Sequence, residues 1–351
     1  MTQAITPRLT TTIGTLMLPN PVICGSGEPV MTEAGIRAAL RAGAAGVIAK
    51  SVNERPEAAA QLDRADYAQL DATGASVTHG VSIFCRSGLA QRDAAEWFAA
   101  IARIDRDAAR EGRFVAASIV LAGADGAEEL AHTARRTGLR VFELNVGAPH
   151  ASEATPGAIA QETDPVRLGE LVKRVRAATD GMHLWVKLTG LSANLPALAV
   201  AASQAGADAV IMMGRFMAMM PDLDTLSPVL GTSAAYGGPW ALPIVCRFLA
   251  LSRRAVGPAF PLLGTNGVRS GADVARMALA GASASELLSV VMHEGFGGLT
   301  RVIVELDALL AARGMEFAEL IGRAADALQG YGEQVEAPGR WKDFVPAETI
   351  G

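Results

Sequence analysis

The chain has 351 residues and a formal net charge of −5 at pH 7, so it shows no basic footprint for nucleic acid. Half of its residues are apolar, which supports one large folded unit and argues against a disordered chain. No window reaches the roughly 18 uncharged apolar residues of a membrane span. The N-terminus lacks the pattern of a secretory leader, and Cys24, Cys85 and Cys246 are too widely spaced for a cysteine metal motif. These features fit an enzyme acting on a small molecule in a reducing, cytoplasmic setting.

In chain order, residues 9–21 mix β-formers with turn residues around Gly14 and predict a β-hairpin. Short apolar strands follow near 21–25, 46–50, 114–120, 141–145, 184–188, 209–213, 260–264 and 284–289. Helical patterns over 33–42, 94–110, 165–178, 196–205, 242–254 and 271–280 separate most of them. A recurring phrase marks the returns from helix to strand: Ala42-Gly43-Ala44, Thr137-Gly138-Leu139, Ala205-Gly206-Ala207 and Ala280-Gly281-Ala282. Each glycine reads as the left-handed residue that ends a helix. Eight such units predict an α/β fold, a (β/α)8 TIM barrel. The connections 51–90, after strand 2, and 214–239, after strand 6, are too long for simple turns and predict pocket or lid segments. The barrel is expected over residues 1–313, with a helical extension and tail over 314–351.

Only four lysines occur in the chain, and two of them, Lys50 and Lys187, close the apolar runs of strands 2 and 5. An ammonium is a compact, tunable point charge that a guanidinium does not replace. The C-terminal mouth of a barrel is where a ligand would meet it. A lysine reaching from a strand end to water and a Schiff-base lysine of a flavin-free lyase or aldolase are the competing readings, the latter for Lys187. After strand 7, Gly264, Gly267 and Gly271 precede a helix, so main-chain N–H groups there could hold a phosphate. An ordinary glycine-rich turn is the plainer alternative.

Several segments, in order, resemble the FMN-dependent dihydroorotate dehydrogenase and dihydropyrimidine dehydrogenase superfamily. They are Leu18-Pro19-Asn20-Pro21 through Gly25-Ser26-Gly27, Ala49-Lys50-Ser51, Glu143-Leu144-Asn145 through His150, Val186-Lys187-Leu188, Gly237-Gly238-Pro239 and Leu263-Gly264-Thr265-Asn266-Gly267. The resemblance implies bound FMN and hydride transfer at a CH–CH or C=C bond of a small polar substrate. It implies that Gly25, Ser26, Gly27, Lys50, Ser51, Asn145, Lys187, Gly238, Gly264, Asn266, Gly267 and Ser289 contact the cofactor, and that Asn145 also positions substrate. A homodimer is expected by analogy.

The chain also departs from that pattern. Asn266 stands where the family has glycine, and Leu288-Ser289 where it has Gly-Thr or Gly-Ser. The residue before Pro149 is Ala148, where the family can carry its Cys or Ser base, and a methyl group moves no proton. His150 is the nearest replacement by position, ahead of His79 and Cys85. Strand 6 ends in Met212-Met213-Gly214-Arg215 instead of Asn-Thr, so Arg215 is the candidate to hold an anionic substrate group. The methionines 212, 213, 217, 219 and 220 read as packing. A relative that binds FMN without catalysis is a further alternative.

Overall fold

The structure, a computed structural model, describes residues 7–148 and 161–350. Eight parallel strands form a closed barrel in sequence order. They are β1 (Val22–Cys24), β2 (Gly46–Ile48), β3 (Phe114–Val120), β4 (Val141–Asn145), β5 (His183–Lys187), β6 (Ala209–Met212), β7 (Leu262–Thr265) and β8 (Ala282–Leu287). Their apolar runs are buried on both faces, as an all-parallel sheet under helices requires; every residue of β3 is buried. Ile23, Ile48, Phe114, Trp185, Ile211 and Leu263 fill the interior, with Phe114 and Trp185 edge to face at 5.1 Å. The hairpin of Thr11–Ile13 and Leu16–Leu18 adds Ile13 and Leu18 to that same cluster and plugs the N-terminal end of the barrel.

The outer layer consists of α1 (Glu33–Arg41), α2 (Ala94–Ala109), α3 (Ala124–Arg136), α4 (Pro165–Ala178), α5 (Leu195–Gln204), α6 (Leu242–Val256), α7 (Gly271–Leu279) and α8 (Gly297–Ala311). Local chemistry sets their ends. Thr32, Asp93 and Asp164 accept from main-chain N–H groups of the first turns, and Ser270 with Asp273 forms a capping box. The four glycines of the recurring phrase all have positive φ, 99° at Gly43 and 100° at Gly206 among them.

The two long connections do not lie separately on the rim. Phe216–Ala218 and Ala234–Gly237, from the segment after β6, pair with Ser82–Arg86, Asp66–Leu70 and Ser76–Val77, from the segment after β2, in one five-stranded antiparallel sheet. Phe84, Leu70 and Ala234 give this sheet a small core of its own. After α8, Phe317 and Leu320 pack on the barrel helices and Asp326 pairs with Arg253. Beyond Ala325 no described residue is buried. Among the described residues no helix is long and apolar enough to cross a membrane, and no cluster of His, Cys, Asp and Glu could hold a metal ion.

Candidate active site

The C-terminal ends of the barrel strands open into a cleft with two lobes. The inner lobe is lined by Gly25, Ser26, Lys50, Ser51, Asn145 and Lys187. The outer lobe lies under the five-stranded sheet, against Tyr67, Tyr236, Gly238, Gly267, Val268 and Ser289. Arg215, Thr265, Asn266, Glu286 and Leu288 line both and form the waist between them. Most of the expected site residues therefore meet in one place. Gly27 and Gly264 stand behind the lining, and His150 lies outside the described residues.

Both strand-end lysines are largely buried. Lys50 is buried and bonds Glu28 at 2.9 Å. Burial works against the ionised Glu28, but Lys50 and Arg215 outweigh it and hold that carboxyl down at about 2. Tyr67, from the accessory sheet, donates its hydroxyl to the same carboxylate. For Lys50, burial dominates and lowers the ammonium, with Glu28 only partly compensating.

Lys187 sits between two carboxyls, 2.8 Å from Glu143 and 2.6 Å from Glu286. Burial alone would lower its pKa; the two acidic neighbours reverse that and raise it. Burial lifts the Glu286 carboxyl, Lys187 pulls it back and Glu143 lifts it again, to about 8. Glu143 also accepts from Ser118 at 2.7 Å, Ser118 meets Ser51 at 2.8 Å, and Ser51 meets Ser26 at 3.1 Å. A continuous polar chain thus crosses the mouth from the loop after β1 to β8.

Asn145 uses its side-chain oxygen to accept from the Gly147 N–H at 2.9 Å, as a turn asparagine does. No described residue engages its NH2 group, which belongs to a residue of the inner lobe. Arg215 is not a solvated loop arginine: it donates to Ser87 at 2.5 Å and to Cys85 at 3.5 Å. Its guanidinium borders both lobes. Of the methionines, Met212 and Met213 are buried in the core.

The loop after β7 is built for close approach. Asn266 adopts φ 73°, the left-handed conformation that asparagine tolerates. Its side chain donates to the carbonyls of Met213 and Gly214, tying β7 to the end of β6. Gly267, at φ 84°, lies where a Cβ would come within 2.5 Å of the Leu242 N. Within the described residues no acceptor pairs the N–H groups of Asn266, Gly267, Val268 and Leu288. Leu288 offers that N–H while its side chain rests on Gly27, where a Cβ would sit 2.5 Å from the leucine methyls. Gly27 has extended backbone that any residue can adopt; its missing side chain is space that Leu288 fills.

The sequence reading missed Glu28, Tyr67, Ser118 and Glu286. Glu286 carried a visible signal, a carboxyl in the otherwise uncharged run 282–288. Glu28, Tyr67 and Ser118 had none, because their roles arise only when loops after different strands converge.

A parallel barrel with buried ammonium groups and free main-chain donors at the C-terminal rim defines a class: a TIM-barrel enzyme site open at that rim. Comparison with known proteins specifies it. The family model described as dihydroorotate dehydrogenase matches residues 8–310. The catalytic subunit of dihydroorotate dehydrogenase B (NAD(+)) of Methanocella arvoryzae is 29% identical over 322 residues, 90% of this chain and 98% of that protein. The corresponding subunit of Pyrococcus abyssi is 30% identical over 309 residues, 87% of this chain and 95% of its own length. Dihydroorotate dehydrogenase A (fumarate) of Limosilactobacillus reuteri is 34% identical over 167 residues, 47% of this chain and 52% of that protein. The chain belongs to the dihydroorotate dehydrogenase family, FMN-dependent oxidoreductases that act on a CH–CH bond.

Proposed function

We propose that this chain is an FMN-dependent oxidoreductase that moves hydride at a CH–CH or C=C bond of a small polar substrate in the two-lobed cleft. The observation that carries the reading is the set of N–H groups at Asn266, Gly267, Val268 and Leu288, unpaired among the described residues and belonging to cleft-lining residues at two neighbouring strand ends. Main-chain donors in that arrangement suit a phosphate monoester. Ser289 stands beside them, Gly238 lets its loop approach Ser82, and Gly264 leaves room for Met277 behind it. Gly25, Ser26, Lys50, Ser51 and Lys187 would border the ring system in the inner lobe, with Gly27 making room for Leu288 behind it. Bound there, FMN would supply the hydride acceptor or donor.

The other roles belong to the chain itself. The NH2 of Asn145, unengaged among the described residues, would orient substrate, and Arg215 would hold an anionic group through its planar fork. Ala148 is buried and has no titratable atom, so we assign the proton beside the hydride carbon to His150, two residues along the same loop. Dihydroorotate, the substrate in the relatives' names, is the first compound to try. The lyase reading is disfavoured by Lys187 itself: a Schiff-base lysine needs a depressed pKa, and two carboxyls raise this one.

The deciding experiment is reconstitution with FMN, followed by turnover in wild type and His150→Ala. A flavin absorption spectrum that stays with the protein on gel filtration is expected, with substrate turnover lost in the variant and flavin retained. Failure to retain FMN would sink the cofactor reading; full turnover in the variant would remove His150 from the mechanism.

We further propose residues 1–313 as the catalytic barrel and 314–351 as an extension that serves a homodimer. Tyr331, Val335 and Phe344 are exposed there, at 99%, 94% and 77%, and apolar side chains on such an arm gain stability by burial on a second copy. Three free cysteines, Cys24, Cys85 and Cys246, suit a cytoplasmic location.

A further inference from the structure

Glu143, Lys187 and Glu286 set two carboxyls against one ammonium in a buried position. With both carboxyls ionised, the group would keep a net negative charge away from water, and burial relieves such a charge by binding a proton. The two carboxyls are not equivalent. Glu143 accepts from Ser118 at Oε1 and lies against Lys187 at Oε2. Glu286 receives Lys187 at Oε2 and lies within hydrogen-bonding reach of the Glu143 carboxyl, a contact that favours a proton on Glu286. Its Oε1 is buried without a partner among the described residues, and the residue lines the waist shared by both lobes.

Among the described residues no second cation pairs with Glu286. Cys24 of β1 faces it as a thiol kept neutral by burial and by Glu286 itself. Thr265 of β7 bonds only its main-chain oxygen. Arg215 lines the same waist but donates to Ser87 and Cys85.

We propose that Glu286 is a ligand contact that carries a proton at neutral pH and donates its O–H from Oε1 to the acceptor edge of a planar heterocycle, a ring nitrogen or a carbonyl oxygen. Above its titration the same atom becomes an anion that repels that edge. The raised pKa of this carboxyl agrees with the geometry. That the heterocycle is the ring of FMN rests on the function proposed above; the protonation state does not.

Two measurements test this. Infrared spectroscopy of the ligand-free protein at neutral pH should show a protonated-carboxyl band that disappears in alkali and is missing from Glu286→Gln. FMN titrated into wild type from neutral to alkaline pH should bind with constant affinity up to the Glu286 titration, then lose about tenfold for each further pH unit. Glu286→Gln keeps a donor and cannot ionise, so it should bind FMN with a flat profile. Parallel losses of affinity in both proteins would overturn the proposal, and so would a wild-type spectrum without the band, which needs no variant to fold. Absence of FMN binding with the band intact would count against the cofactor reading and in favour of the protonated carboxyl.

Discussion

Lys187 is the residue on which the electrostatics of the mouth turn. It is the cation between Glu143 and Glu286, and all three side chains are enclosed. Lys187→Met conserves much of the volume and removes the charge, leaving two carboxyls to share a dry site. Breaking a buried ion pair in this way costs about 3–5 kcal/mol, and urea unfolding at pH 7 should show a loss of that order. The sign of its pH dependence follows from the carboxyls. Without the ammonium the folded pKa of Glu286 rises further above the unfolded 4.5, so stability is retained below that value and lost as pH climbs through the folded one. The deficit should therefore shrink as unfolding is repeated toward pH 4.5, and a deficit independent of pH would show that the carboxyls do not control it. The other ion pair runs the opposite way. Glu28, held at about 2, adds stability above the unfolded carboxylate range that disappears as pH falls toward its folded value.

At the scale of elements, the loops after β1 and β8 are fitted to each other. Leu288 occupies the space left by the absent side chain of Gly27, so a bulky residue sits at a close-approach position without closing it. Gly27→Ala should displace the leucine and cost about 1–3 kcal/mol as overpacking does. Leu288→Ala should itself lose apolar contact, yet in its presence the alanine at 27 should cost little. A double-mutant cycle by urea denaturation should give a coupling of about 1 kcal/mol, and additive losses would show that the two loops do not share this space. Asn266 does similar work one strand away. Its backbone takes the left-handed turn, and its amide closes two carbonyls at the end of β6.

For the whole molecule, the barrel and the segments laid over it differ in how they are held. The barrel has a continuous core of apolar strands and helices, whereas the chain beyond Ala325 contributes no buried residue. Removing residues 329–351 should therefore leave the monomer fold intact, with a melting temperature within about 2 °C of the full chain. If the arm serves a dimer, sedimentation should show the full chain as a dimer and the shortened one as a monomer. Two identical sedimentation profiles would dissociate the arm from assembly. The five-stranded sheet is intermediate: it has its own small core and roofs the outer lobe, so it ties ligand access to contacts between two segments some 130 residues apart, such as Arg215 with Cys85 and Ser87.

The sequence by itself determined the elements and their order. Period-two and period-3.6 patterns, helix-ending glycines and cap residues are local, and local chemistry set the strands, most helices and the hairpin where they were expected. Resemblance along the chain also placed Lys50, Ser51, Asn145, Lys187 and Asn266 at strand ends, and a barrel gathers all strand ends at one rim. What only the tertiary structure decided is which charges neighbour which. Glu28 reaches Lys50, Glu143 and Glu286 enclose Lys187, and Arg215 turns to a loop from another strand. Such pairings join residues up to 128 positions apart, Ser87 and Arg215, and no spacing rule encodes them. They follow from barrel closure, which brings β4, β5 and β8 around one axis and leaves burial to decide where a proton stays.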